Sequence, residues 1–94
     1  MSLPLRSNMP FGALLGTPLL ELLDHFGVEM VETRASDPGF LGAFVEYTAT
    51  GRRRLLMPTG RSTLERDTAA RMLLAAGLGL DVPPLPPGLE VTRV

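Results

Sequence analysis

The sequence predicts an α+β fold: a small antiparallel sheet of three or four strands covered on one face by two helices, in the order α-β-β-β-α(-β). Three observations point there. Apolar residues recur at helical spacing in two segments, 19–26 and 64–76. Between them lie three short β-rich segments, punctuated by Asp37-Pro38-Gly39 and Thr50-Gly51. Connections this short favour antiparallel neighbours over crossovers. The chain has 94 residues, enough for one domain. A fold of this size buries roughly 60–65% of the surface of its unfolded chain, so its core is thin. The aromatics are few (Phe11, Phe26, Phe40, Phe44 and Tyr47), and the interior must be built mainly from Leu, Val, Met and Ala.

Residues 1–16 are rich in Pro, Gly and Ser, without a steady period, and read as a flexible N-terminal arm. Its apolar members, Met9, Phe11, Leu14 and Leu15, are suited to docking on a surface or to a short helical turn. Residues 17–94 form the α+β domain. Thr17 is a good N-cap, and Pro18 then falls at the first helical position, where its missing N–H costs nothing. Leu19, Leu22, Leu23 and Phe26 make one apolar stripe, and Gly27 suits the left-handed stop. Strands follow at 28–34, 40–48 and 53–57, the last closed by Pro58.

Ser62-Thr63-Leu64-Glu65 has the capping-box form, so a second helix is expected from there to about Ala76, with Gly77 as its stop. Leu64, Thr68, Ala69, Met72, Leu73 and Ala76 form its apolar face, while Arg66, Asp67, Ala70 and Arg71 face away. Leu74 shares the polar side and is therefore a candidate interface residue. The Pro-rich segment 82–88 should be extended polyproline II, leading to a final short strand at 89–94. The expected core centres on Leu23, Phe26, Val31, Val45, Leu55, Met72 and Leu73.

Chemistry-bearing side chains are scarce. The chain has one histidine, His25, and no cysteine. Most sites at neutral pH use an imidazole base, a thiolate or a cluster of nitrogen and sulfur ligands. Glu21, Asp24 and His25 share one helix, but two or three ligands on an exposed helix make an incomplete metal site, and a solvated Glu–His pair is the simpler reading. No G-x-S-x-G or P-loop pattern is present. No catalytic residue, cofactor or metal is expected. Gly60-Arg61-Ser62-Thr63 reads as ordinary helix capping, and Pro83-Pro84-Leu85-Pro86 as a rigid spacer. The apolar stretch after Arg6 is broken by Pro10, Gly12, Gly16 and Pro18 and does not read as a signal peptide, which leaves the cytoplasm as the expected location.

All nine basic residues are arginines, and the formal net charge is −1. Abundant Arg, Ala, Gly and Pro without Lys fits a GC-rich bacterial genome. Near-neutrality argues against broad electrostatic capture of nucleic acid or an anionic membrane. Arg52, Arg53 and Arg54, with nearby Arg61, still form a local basic cluster able to touch phosphate. Pairing across the sheet with Glu29, Glu32 and Glu46, or protection of an edge strand, is the structural alternative.

The order helix, short strands, then a helix opened by Arg61-Ser62-Thr63-Leu64-Glu65-Arg66-Asp67 resembles the core of ImmA/IrrE-type metallopeptidases. Gly42 stands in the strand pair as a glycine does there. Arg71, Met72 and Ala75 stand where that family's helix carries His, Glu and His, so its zinc chemistry is not carried over to any residue. The resemblance implies a degenerate relative that keeps a regulatory or partner-binding role beside a DNA-binding protein.

The reading that follows is a non-enzymatic regulatory or protein-interaction module, acting as a homodimer. Missing catalytic groups and surplus aliphatic surface motivate it. The alternatives are a nucleic-acid-associated transcriptional regulator using the arginine cluster, and an inactive metallopeptidase-like domain or subunit of a larger enzyme. Candidate interaction residues are Arg52, Arg53, Arg54, Arg61, Leu74 and Phe11.

Overall fold

The computed structural model describes residues 11–34, 37–80 and 82–94, the first three of these by backbone alone. The elements are α1 (Phe11–Gly16), α2 (Leu19–Phe26), β1 (Val28–Thr33), β2 (Gly42–Tyr47), β3 (Arg52–Pro58), α3 (Thr63–Gly77) and β4 (Leu89–Arg93). The fold is α+β, with a four-stranded sheet and three helices. Helix α1 lies within the segment expected as an arm, and its Leu14 is fully buried. Residues 1–10 of that segment, Met9 among them, lie outside the described residues. None of the described helices is long and apolar enough to cross a membrane.

The sheet is mixed rather than an antiparallel meander. Its order is β1-β3-β2-β4, with β2–β3 antiparallel and both outer pairs, β1–β3 and β2–β4, parallel. Among the described residues, only the Thr48–Gly51 connection makes a tight hairpin, closed by the Gly51 N–H donating to the Tyr47 carbonyl at 2.7 Å. The longer link between β1 and β2 skips one strand position, and β3 fills the slot. Helix α3 then carries the chain over β2 to its far side.

Register fixes the two faces, because paired residues point the same way. Val28 and Met30, Leu55 and Met57, Phe44, and Leu89 and Val91 form the row set beneath the helices. Val31 and Val45, expected in the core, lie on the opposite face with Leu56 and Tyr47. The sequence permits both phases: Met30 and Val31 are adjacent in β1, and β2 is apolar on both sides. Packing chooses Phe44, whose ring presses so close to Gly77 that a β-carbon at that position would stand 2.5 Å from it. Gly77 is thus the last residue of α3 rather than its stop, and the left-handed turn falls at Gly79, φ +79°.

Helix α2 is capped by Pro18 without a side-chain bond, not by Thr17, whereas Gly27 closes it in the left-handed form at φ +65°. Ser62 is the N-cap of α3, its Oγ accepting from the Glu65 N–H at 3.1 Å. The buried face of α3 lies about half a turn from the one expected, with Leu73 common to both. Ala70, Arg71, Leu73, Leu74, Ala75 and Gly77 are buried, while Leu64 is 76% exposed. Leu74 is therefore a core residue, not a surface one.

Candidate functional site

The outward stripe of α3 is apolar. Leu64, Thr68 and Met72 follow one another at four-residue spacing, with Ala69 beside them, and so share one face. The chain leading into β4, together with Leu15 and Leu41, flanks this stripe and makes it a groove. One part, about 530 Å³, runs between Leu64, Ala69 and Met72 on α3 and Leu41, Pro86 and Leu89 opposite. A second part, about 240 Å³, lies between Thr68 and Met72 and the side chains of Leu15, Val82 and Leu85. The two parts meet at Thr68 and Met72.

The wall opposite α3 is fixed by backbone geometry. Gly88 adopts φ +94°, and a β-carbon there would collide with the Gly39 carbonyl oxygen, so only glycine fits. Its carbonyl accepts from the N–H of Leu41 at 2.8 Å. Arg61 braces the same wall by donating to the Pro38 carbonyl at 2.7 Å. Asp37 accepts from the Gly39 N–H at 2.8 Å and sets the turn between them.

Three arginines fasten the C-terminal ends of the three helices. Arg71 donates to the carbonyls of Leu14 at 2.8 Å and Thr17 at 2.5 Å, and its Nε to Asp67 Oδ2 at 2.7 Å. Arg53 donates to the Phe26 carbonyl of α2 at 3.3 Å, and Arg93 to the Gly77 carbonyl of α3 at 2.9 Å. Glu46 joins the last two, its two oxygens accepting from Arg53 Nε and Arg93 Nε, each at 3.1 Å. Hydrogen bonding to Arg53, then to Arg93, holds the Glu46 carboxyl below its ordinary value against the opposing effect of desolvation. A guanidinium can bond a carboxylate and a helix-end carbonyl at once, whereas an ammonium is a point charge without a fork. Helix C-termini also carry negative partial charge, which these cations offset.

The basic cluster expected from the sequence is thereby divided. Arg53 points under the helices, and Arg52 and Arg54 point to the open face. Arg54 pairs with Glu29 at 3.2 Å and lies 5.4 Å from the Tyr47 ring centre. Arg61 bonds the Pro38 carbonyl and, at 3.5 Å, the Phe40 carbonyl, apart from the partners of the strand arginines. Among the described residues, Arg52 makes no ion pair. Phe11 opens α1, and its side chain lies outside the described part.

His25 is exposed on α2, edge-on to Phe26 with ring centres 5.0 Å apart. Among the described residues, no three His, Asp or Glu side chains come together as a metal site. Of the positions that carry the metallopeptidase resemblance, Arg71 holds α1, Met72 lines the groove and Ala75 is buried.

The groove escapes a reading of the sequence because its residues have the chemistry of a core. Thr68 is the available signal: a hydroxyl in the middle of a stripe otherwise apolar fits a rim better than an interior. The role of Arg71 escapes it too, because a charge among leucines reads as solvated unless its partners are known. Comparison with protein-family models, curated proteins and solved structures finds no match for this chain.

Proposed function

We propose that this chain is a non-enzymatic protein-interaction module, regulatory in character, that works as a homodimer and uses the α3 groove as its contact surface. The observation that carries the reading is the groove itself: a hollow of about 530 Å³ walled by Leu41, Ala69, Met72 and Leu89, beside a leucine that is 76% exposed. Apolar surface concentrated in one concave patch is the usual mark of a contact site on a small protein. Phe44, Leu55, Met57, Leu73 and Leu74 are fully buried elsewhere in the core, while Leu89 belongs to the core as well as to the groove wall. Leu64 therefore has no internal role that explains its chemistry.

The alternative, a nucleic-acid-associated regulator, would rest on Arg52, exposed and without an ion pair among the described residues, more than on the rest of the cluster. Phosphate binding needs cations that can reach the backbone. Arg53 and Arg61 are engaged with carbonyls of the fold, and Arg54 with Glu29. Light scattering across micromolar concentrations tests the proposal, with a dimer as the expected species. A strictly monomeric chain throughout that range would refute it.

A further inference from the structure

We infer that the open face of the sheet carries a separate binding site, a hollow beside Tyr47 that takes a small organic monocarboxylate with a compact apolar body. The hollow measures about 350 Å³ and lies between Tyr47, Ala49 and Thr50 at the hairpin, Arg52 and Arg54 on β3, and Val94. Strand register builds it. Tyr47 is paired with Arg52 and Val45 with Arg54, so the ring and both guanidiniums rise from one face. Ligand pockets run from roughly 300 to 1,000 Å³, and a hollow at the lower end of that range suits a small molecule.

The charges around the hollow set the charge of its ligand. Arg54 is committed: its Nε lies 3.2 Å from Glu29 Oε1, and its guanidinium stands 5.4 Å from the centre of the Tyr47 ring. Arg52 is exposed and makes no ion pair among the described residues, although its backbone N–H donates to Thr50 Oγ1 at 3.3 Å. The other anionic groups lie elsewhere. Glu90 shares the open face but is paired with Ala43, four residues along β2 from Tyr47. The Val94 oxygen accepts from both the N–H and the hydroxyl of Thr48, each at 2.7 Å. One uncommitted positive charge therefore stands beside an apolar wall of Tyr47, Ala49 and Val94. That combination matches one carboxylate, which a guanidinium grips through two parallel N–H bonds, while the wall takes the apolar body. A phosphate monoester carries nearly two negative charges at neutral pH and would need Arg54 as well, which Glu29 holds.

Titration of the isotope-labelled full chain with benzoate, followed by the NMR shifts of amides and arginine side chains, tests the site. Saturable shifts centred on residues 47–54 and 94 are expected, with a dissociation constant on the order of 1 mM. Arg52→Gln should weaken binding by ~10-fold or more. Inorganic phosphate should bind at least ~10-fold less tightly than benzoate, and Glu29→Gln, by releasing Arg54, should narrow that gap. Both substituted side chains are exposed, so the far-UV circular dichroism of either variant should match that of the unaltered chain. Shifts that grow without saturating, or binding that Arg52→Gln leaves unchanged, would overturn the site. Phosphate bound as tightly as benzoate by the unaltered chain, or a single-stranded oligonucleotide that displaces benzoate from Arg52, would overturn the monocarboxylate assignment. The site lies across the sheet from the helices, so its failure would leave the reading of the α3 groove in place.

Discussion

Replacing Arg71 with alanine should cost about 3 kcal/mol of folding stability, and the magnitude follows from its partners. The residue is 9% exposed, and its guanidinium bonds the carbonyls of Leu14 and Thr17 at 2.8 and 2.5 Å. Its contacts to the Leu15 carbonyl and Asp67 Oδ1, both 3.4 Å, are long enough to add little. Each buried acceptor left without a donor costs about 1–3 kcal/mol. Asp67 is 39% exposed, so water recovers most of its lost partner, and the ion pair itself adds less than about 1 kcal/mol.

Against a total of roughly 5–15 kcal/mol, the loss is large. With a urea slope of about 1–3 kcal/mol/M, the midpoint should fall by roughly 1–3 M. Arg71→Lys should lose about half as much, because an ammonium cannot serve both Asp67 and the α1 carbonyls. The amides of α1 should exchange faster with solvent in Arg71→Ala, since that helix is the element released. A stability change below about 0.5 kcal/mol, or unaltered protection of α1, would refute the claim that Arg71 fastens α1 to α3.

Two further outcomes test the packing and the charge network. Gly77→Ala should destabilise by about 1–3 kcal/mol in urea, since the new methyl would meet the fully buried Phe44 ring at 2.5 Å. A neutral or stabilising result, as helix propensity alone predicts, would show that α3 does not lie this close to β2. The Glu46 carboxyl is held below its ordinary value by Arg53 and then Arg93. A depressed carboxyl stabilises fully above its unfolded value and loses that contribution as pH falls through the folded one. Stability should therefore decline as acid is added below about pH 4.5, and Glu46→Gln should flatten part of that slope. An identical pH profile in the variant would remove Glu46 from the account.

Local features are legible in the sequence where one residue decides the outcome. Ser62 caps α3 and Gly27 closes α2, because a hydroxyl and a flexible backbone each do one job at one position. Strand order is not legible. It depends on whether the link between β1 and β2 leaves room for β3, and nothing local in that link says so. Nor is the phase of β1 and β2, since Met30 and Val31, like Phe44 and Val45, offer apolar groups to both faces.

The phase of α3 ties the fold to the site. Its apolar residues run almost around the helix, but a sheet of four short strands accepts only one side. Sequence pattern favours the side without charges, which is the stripe of Leu64, Thr68 and Met72. The fold takes the other side, because Arg71 is not a solvated charge but the donor that satisfies the carbonyls of Leu14 and Thr17. Burying that guanidinium commits Leu74 and Ala75 to the core and turns the uncharged stripe outward. The same substitution that frees α1 should therefore loosen the orientation of α3, and with it the groove. A surface built from residues that look like core is then the direct consequence of a core built around an arginine.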